Sequence, residues 1–136
     1  MELNHSNTMK ELLDNLPSGC PLPSAVDCAS SVFLIFPDEE ISALHCLSQA
    51  ERGRARNATG DAACTRHGLS VFPSVESCIH QRKLLPHLGR FIGSAWLGPD
   101  HGKIAETPSS TNPAHMTWWP YKNTPRHTLF HILEGA

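Results

Sequence analysis

Residues 24–52 read SAVDCASSVFLIFPDEEISALHCLSQAER, the stretch around which the chain looks organised. Its centre, Val32-Phe33-Leu34-Ile35-Phe36, is the most apolar run of the chain. A short run of β-branched and aromatic residues suits a buried strand, although periodicity alone does not separate it from a buried helical turn. Pro37 ends the strand and Pro37-Asp38 opens a helix, because a first-turn residue has no use for the N–H that proline lacks. Asp38, Glu39 and Glu40 sit at the positive end of that helix dipole, and Arg52, Arg54 and Arg56 follow its negative end. Ile41, Leu44, Leu47 and Ser48 fall at helical spacing, with Gly53 as the stop. The stretch therefore predicts a strand–turn–helix unit, with Phe33, Ile35, Ile41 and Leu44 among the most buried residues.

Toward the N-terminus, Thr8 and Glu11 fit a capping box. Met9, Leu12, Leu13 and Leu16 make one apolar face, and Pro17 ends a short helix over 8–16. Residues 17–23, PSGCPLP, read as a linker. Toward the C-terminus, residues 57–68 have no period and read as a surface loop. Leu69–Phe72 predicts a second short strand. Ser74 then caps a helix that carries Val75, Cys78, Ile79 and Leu85 near one face and stops at Pro86. Leu88, Phe91, Ile92, Ala95 and Trp96 follow i, i+3, i+4, i+7, i+8 and predict an amphipathic helix, which Gly89 and Gly93 weaken by about 1 kcal/mol each. Residues 98–126 hold five prolines and many turn residues and read as mobile coil. Thr128–Glu134 is a last short helix or strand. The fold class expected is mainly α with one or two short strands: a small, partly ordered single domain with a coil-rich C-terminal third. Its segments are 1–23, a core region 24–98, a coil 99–126, and a tail 127–136.

Composition narrows the function without naming it. The chain has 136 residues, room for one domain. Charged residues are 18% and apolar residues 40%, both under ordinary usage. Nine His and five Cys stand against four Lys and one Tyr, a mixture that also fits a young open reading frame little shaped by selection for folding. A net charge of −2 points to neither nucleic acid nor a membrane surface as partner. Five Cys cannot all pair internally. The acidic N-terminus has no signal-peptide core, no Arg precedes Arg52, and no run reaches the roughly 20 apolar residues of a membrane span. The expected setting is intracellular, cytoplasmic or nuclear, with reduced thiols.

The metal candidates are Cys64-x-x-His67 and Cys78-x-His80, two close pairs of zinc-type ligands. The second pair fits poorly, because two residues apart on a helix point about 200° from each other. His127, His131 and Glu134 share a helix face and form a second, solvated cluster. Arg52, Arg54 and Arg56, with Arg66 nearby, could grip phosphates, but Glu51 and Asp61 flank them and no aromatics interleave. Trp118, Trp119 and Tyr121 could anchor a Pro-rich segment in a partner's groove, or fold back onto the chain's own core. No phosphate loop, dinucleotide fingerprint, H-E-x-x-H or G-x-S-x-G elbow occurs. The expectation is a non-enzymatic protein without a cofactor that contacts another protein through apolar surface. The alternatives are a small zinc-binding module, and an enzyme whose site residues are not local in sequence.

Overall fold

The computed structural model describes residues 10–136 and is mainly β, not mainly α. Seven strands, β1 (Val26–Asp27), β2 (Ser30–Phe36), β3 (Leu69–Val71), β4 (Phe91–Leu97), β5 (Gly102–Glu106), β6 (Met116–Pro120) and β7 (His131–Ile132), form two antiparallel sheets. One sheet has the order β1-β5-β6-β3 and the other β2-β4-β7. Two α-helices accompany them, α1 (Gly60–Arg66) and α2 (Val75–Leu84).

The apolar run of β2 is a strand covered on both faces, buried at Val32, Leu34 and Phe36 and only partly so at Phe33 and Ile35, which is why it is continuous rather than alternating. Val32, Leu34 and Phe36 enter the main core with Leu69, Val71, Ile104 and Trp118. Phe33 and Ile35 pack on the opposite side with Phe72, Cys78 and Ile92. Residues 26–36 also join the sheets. Val26 pairs with Ile104 at one edge of the first sheet, and Phe33 exchanges backbone hydrogen bonds of 2.8 and 2.9 Å with Phe72, just past its other edge. The first sheet thus curls until both its edges meet one segment, which encloses the core.

The helix expected after Pro37 is absent. Residues 38–52 hold one 3-10 turn, Ala43–Cys46, and further tight turns. Side chains take the backbone donors a helix would use: Ser42 N–H donates to His45 Nδ1 at 3.1 Å, Ser48 N–H to Glu51 Oε1 at 2.8 Å, and Glu51 N–H to Ser48 Oγ at 3.1 Å. Ser48-x-x-Glu51 is a capping box, which begins a turn in the middle of the expected helix. Leu44 is 69% exposed instead of buried. Leu44→Ala should therefore change stability by less than about 0.5 kcal/mol, read as an unchanged thermal midpoint.

Three other expectations are corrected. The stripe Leu88–Trp96 is not a helix, because residues 91–97 are β4, the middle strand of its sheet. Phe91 and Ala95 lie on the face of Phe36 and Val32, and Ile92 and Trp96 on the other. A strand flanked on both faces mimics helical spacing when its apolar residues fall in adjacent pairs. Gly93 is there for close approach, since a Cβ on it would stand 2.6 Å from Phe36 Cε2. The coil of 98–126 contains β5 and β6; Pro99, Pro108, Pro113 and Pro125 mark its connections, and Pro120 closes β6. Residues 57–68 include α1 rather than loop alone. The strand at Leu69, the Ser74-capped helix and its end before Pro86 are as expected. Of the expected N-terminal helix, Thr8 and Met9 lie outside the described residues, and residues 10–23 make turns and coil.

Cys20 and Cys64 form a disulfide, against the expectation that the thiols are free; Cys28, Cys46 and Cys78 remain free and buried. No described helix is long and apolar enough to cross a membrane.

Candidate functional site

A cleft of about 560 Å³ opens between the turns after β2, the end of α1 and the strand β3. Arg52, Arg54 and Arg66 line it with His45, His87 and His115, and no Asp or Glu is among its lining residues. Two of the guanidinium groups are held by neutral acceptors. Arg52 Nη2 donates to Leu44 O at 2.7 Å and its Nε to Leu47 O at 3.3 Å, while Arg66 Nη1 donates to Arg54 O at 3.0 Å. Among the described residues no carboxylate lies in ion-pair range of Arg52, Arg54 or Arg66. Arg52 and Arg66 are held in place, and all three charges are left without a carboxylate partner, which suits an anion.

The turn that carries Arg52 and Arg54 is anchored from the far end of the chain. Arg126 donates to both carboxylate oxygens of Glu51, at 2.7 and 2.9 Å, and to Cys46 O at 2.8 Å. Glu51, the acid beside the arginines in sequence, is thereby turned away from them. Burial would raise the Glu51 carboxyl, but the Arg126 and Ser48 hydrogen bonds and the Arg126 charge outweigh it and hold the carboxyl below its ordinary 4.5. A carboxyl lowered in the folded state adds stability that is complete above its unfolded value and disappears as pH falls through the folded one. The protein should therefore lose stability on acidification below about 4.5. Glu51→Gln should show a flatter acid limb in urea melts, and an unaltered limb would contradict the assignment.

A second feature lies in the same cleft. Ser70, exposed in the middle of β3, has its Oγ 2.8 Å from His115 Nε2. The other ring nitrogen, His115 Nδ1, is 3.0 Å from the carbonyl oxygen of Thr107 and 3.0 Å from its hydroxyl. A carbonyl only accepts, so the proton sits on Nδ1 and Nε2 is free to accept from the Ser70 hydroxyl. Burial lowers the His115 pKa further than the Thr107 hydrogen bond raises it, which favours the neutral ring. The result is a hydroxyl, a neutral base, and a group that orients the base.

Strand pairing builds this arrangement. Val71 opposite Met116 places His115 across from Phe72, against whose ring it stands edge-on at 5.6 Å. Thr107 N–H donates to His115 O at 3.0 Å, closing the hairpin between β5 and β6. The hairpin loop is pinned to α2 by buried Asn112, whose Nδ2 donates to Ser77 O and Gln81 Oε1 at 3.1 and 3.0 Å.

The metal candidates are not brought together. Cys64 is bonded to Cys20, His67 Nδ1 meets Ala63 O at 2.8 Å, Cys78 lies in the core on α2, and His80 is exposed with Nε2 2.8 Å from Thr111 O. Among the described residues no group of three or more His, Cys, Asp or Glu could hold a metal. His127 lies in the 3-10 turn Arg126–Leu129, His131 on β7 and Glu134 beyond it, so they share no helix face. Trp118 and Trp119 are fully buried, and Tyr121 is 5% exposed. Burial pushes the three free thiols up, to about 12 for Cys28 and Cys78 and about 11 for Cys46, so none is a ready nucleophile. Ser70, Thr107 and His115 escaped the sequence reading because no local motif marks them.

The chain matches no protein-family model, and no curated protein or solved structure is significantly similar to it.

Proposed function

We propose that the chain binds a small phosphate-bearing molecule in the cleft between the 48–54 turns and β3. The observation that carries this reading is the lining: Arg52, Arg54 and Arg66 with no carboxylate, in a chain whose net charge is −2. Positive charge gathered in one concavity of an acidic protein selects a compact anion over an extended polyanion, which would meet repulsion beyond the cleft. About 560 Å³ is room for a small ligand. Three guanidinium forks suit phosphate, whose oxygens accept several charge-assisted hydrogen bonds at once. A contact with another protein through aromatic anchors has less support, since Trp118, Trp119 and Tyr121 belong to the core.

Calorimetric titration with pyrophosphate tests the reading. Binding should weaken with added salt, and Arg54→Ala should lower affinity about tenfold or more. Arg54 is exposed, so the variant should fold as the wild type does. Absence of binding at low salt, or an Arg54→Ala variant that binds equally, would refute it.

A further inference from the structure

We propose that Ser70 is a nucleophile, with His115 as its base, and that the cleft cleaves phosphate esters. The inference rests on the phosphate-binding reading and adds a reaction to it. Three observations converge. The Ser70 hydroxyl lies 2.8 Å from a ring nitrogen free to accept its proton. The Thr107 carbonyl, 3.0 Å from the other nitrogen, orients the ring and stabilises the imidazolium that forms. Ser70 and His115 line the same cleft as Arg52, Arg54 and Arg66. Guanidinium groups aimed at a phosphoryl group stabilise the charge on its oxygens as it is transferred.

The step balances without a redox partner. Ser70 Oγ forms a bond to phosphorus as the bond from phosphorus to the ester oxygen breaks, and the Ser70 proton passes to His115 Nε2. The alcohol leaves in line, on the side away from Ser70, and takes a proton from solvent in the open cleft. Water then attacks phosphorus from that same side and gives its proton to solvent. Ser70 Oγ departs and recovers its proton from His115. The sum is ester plus water giving alcohol plus phosphate.

The test uses the full chain with p-nitrophenyl phosphate and, separately, bis(p-nitrophenyl) phosphate, which distinguish monoesters from diesters. Release of p-nitrophenolate from either is expected, with a phosphorylated intermediate mapped to Ser70 by mass spectrometry after an acid quench. Ser70→Ala and His115→Gln should each slow release by about 100-fold or more. Intermediate mapping on the wild-type chain needs no variant, so misfolding of His115→Gln would not shield the proposal. Turnover that survives in Ser70→Ala, or a phosphoryl group mapped elsewhere, overturns it. If the wild-type chain binds pyrophosphate and releases no p-nitrophenolate from either ester, the nucleophile falls and the binding reading stands. If it neither binds nor turns over, both fall.

Discussion

Trp118→Ala is expected to lower the stability of the fold sharply. Trp118 has no exposed surface. It sits in β6 opposite Leu69 on one side and Ile104 on the other, and its ring centroid is 6.1 Å from that of Phe130. Its Nε1–H donates to His101 O at 2.9 Å, so the ring also fixes the turn that leads into β5. Removing a buried aromatic costs about 3–5 kcal/mol, from lost transfer free energy and the cavity left behind. A small domain holds about 5–15 kcal/mol in all, so one such change removes a large share. Urea melting followed by fluorescence or circular dichroism would measure it. Trp118→Phe, which keeps most of the volume and loses the donor, should fall between. A Trp118→Ala midpoint equal to the wild type would mean that residues 116–120 are not core.

The second large effect concerns the disulfide. Cys20 and Cys64 are 44 residues apart, and their bond ties the N-terminal turns to α1. In the chain-entropy account, closing a loop of that length removes about 4 kcal/mol of freedom from the unfolded state. The bond also borders a small cluster in which Cys64, Ala105 and Trp119 pack with Cys20, Leu22 and Ala25. Trp119 Nε1–H donates to Cys64 O at 2.9 Å, a contact that does not depend on the sulfur. Reduction should therefore lower the melting temperature by roughly 10–20 °C while leaving the native fold intact below the midpoint. Cys20→Ser should reproduce the reduced protein and become insensitive to reductant. Equal melting of the oxidised and reduced forms would remove the bond from the account.

Local chemistry was readable wherever neighbours in sequence settle it. Val32–Phe36 is a strand, as its short length and its β-branched and aromatic side chains suggest. Ser74 caps α2, with its Oγ accepting from Ser77 N–H at 3.1 Å, and Pro86 lies just beyond the helix end. Prolines 99, 108, 113 and 125 lie in connections, although the coil expected over 98–126 is interrupted by β5 and β6. Ser48-x-x-Glu51 spells a capping box across the helical spacing of Ile41, Leu44 and Leu47, and its side chains turn the chain there.

The remaining features have one physical cause: the partners are distant in sequence. Phe91–Leu97 is a strand because seven residues of β2 pair with it, and with apolar residues on both faces its pattern carries no period-2 signature. Residues 102–106 and 116–120 are strands because each supplies the other's hydrogen bonds, and Trp118 and Trp119 are buried because that pairing turns them inward. The arginines at 52, 54 and 66 were legible as a basic cluster. That they line a cleft free of carboxylate depends on Arg126 drawing Glu51 aside across 75 residues. Ser70 meets His115 across 45 residues through strand register alone, and a one-residue slip of β3 against β6 would put the hydroxyl on the opposite face. Neighbours in sequence set the strand at Val32–Phe36, the Ser74 cap and the end of α2 before Pro86, but left the remaining segments open. Pairing determined which of them became strands and which side chains met.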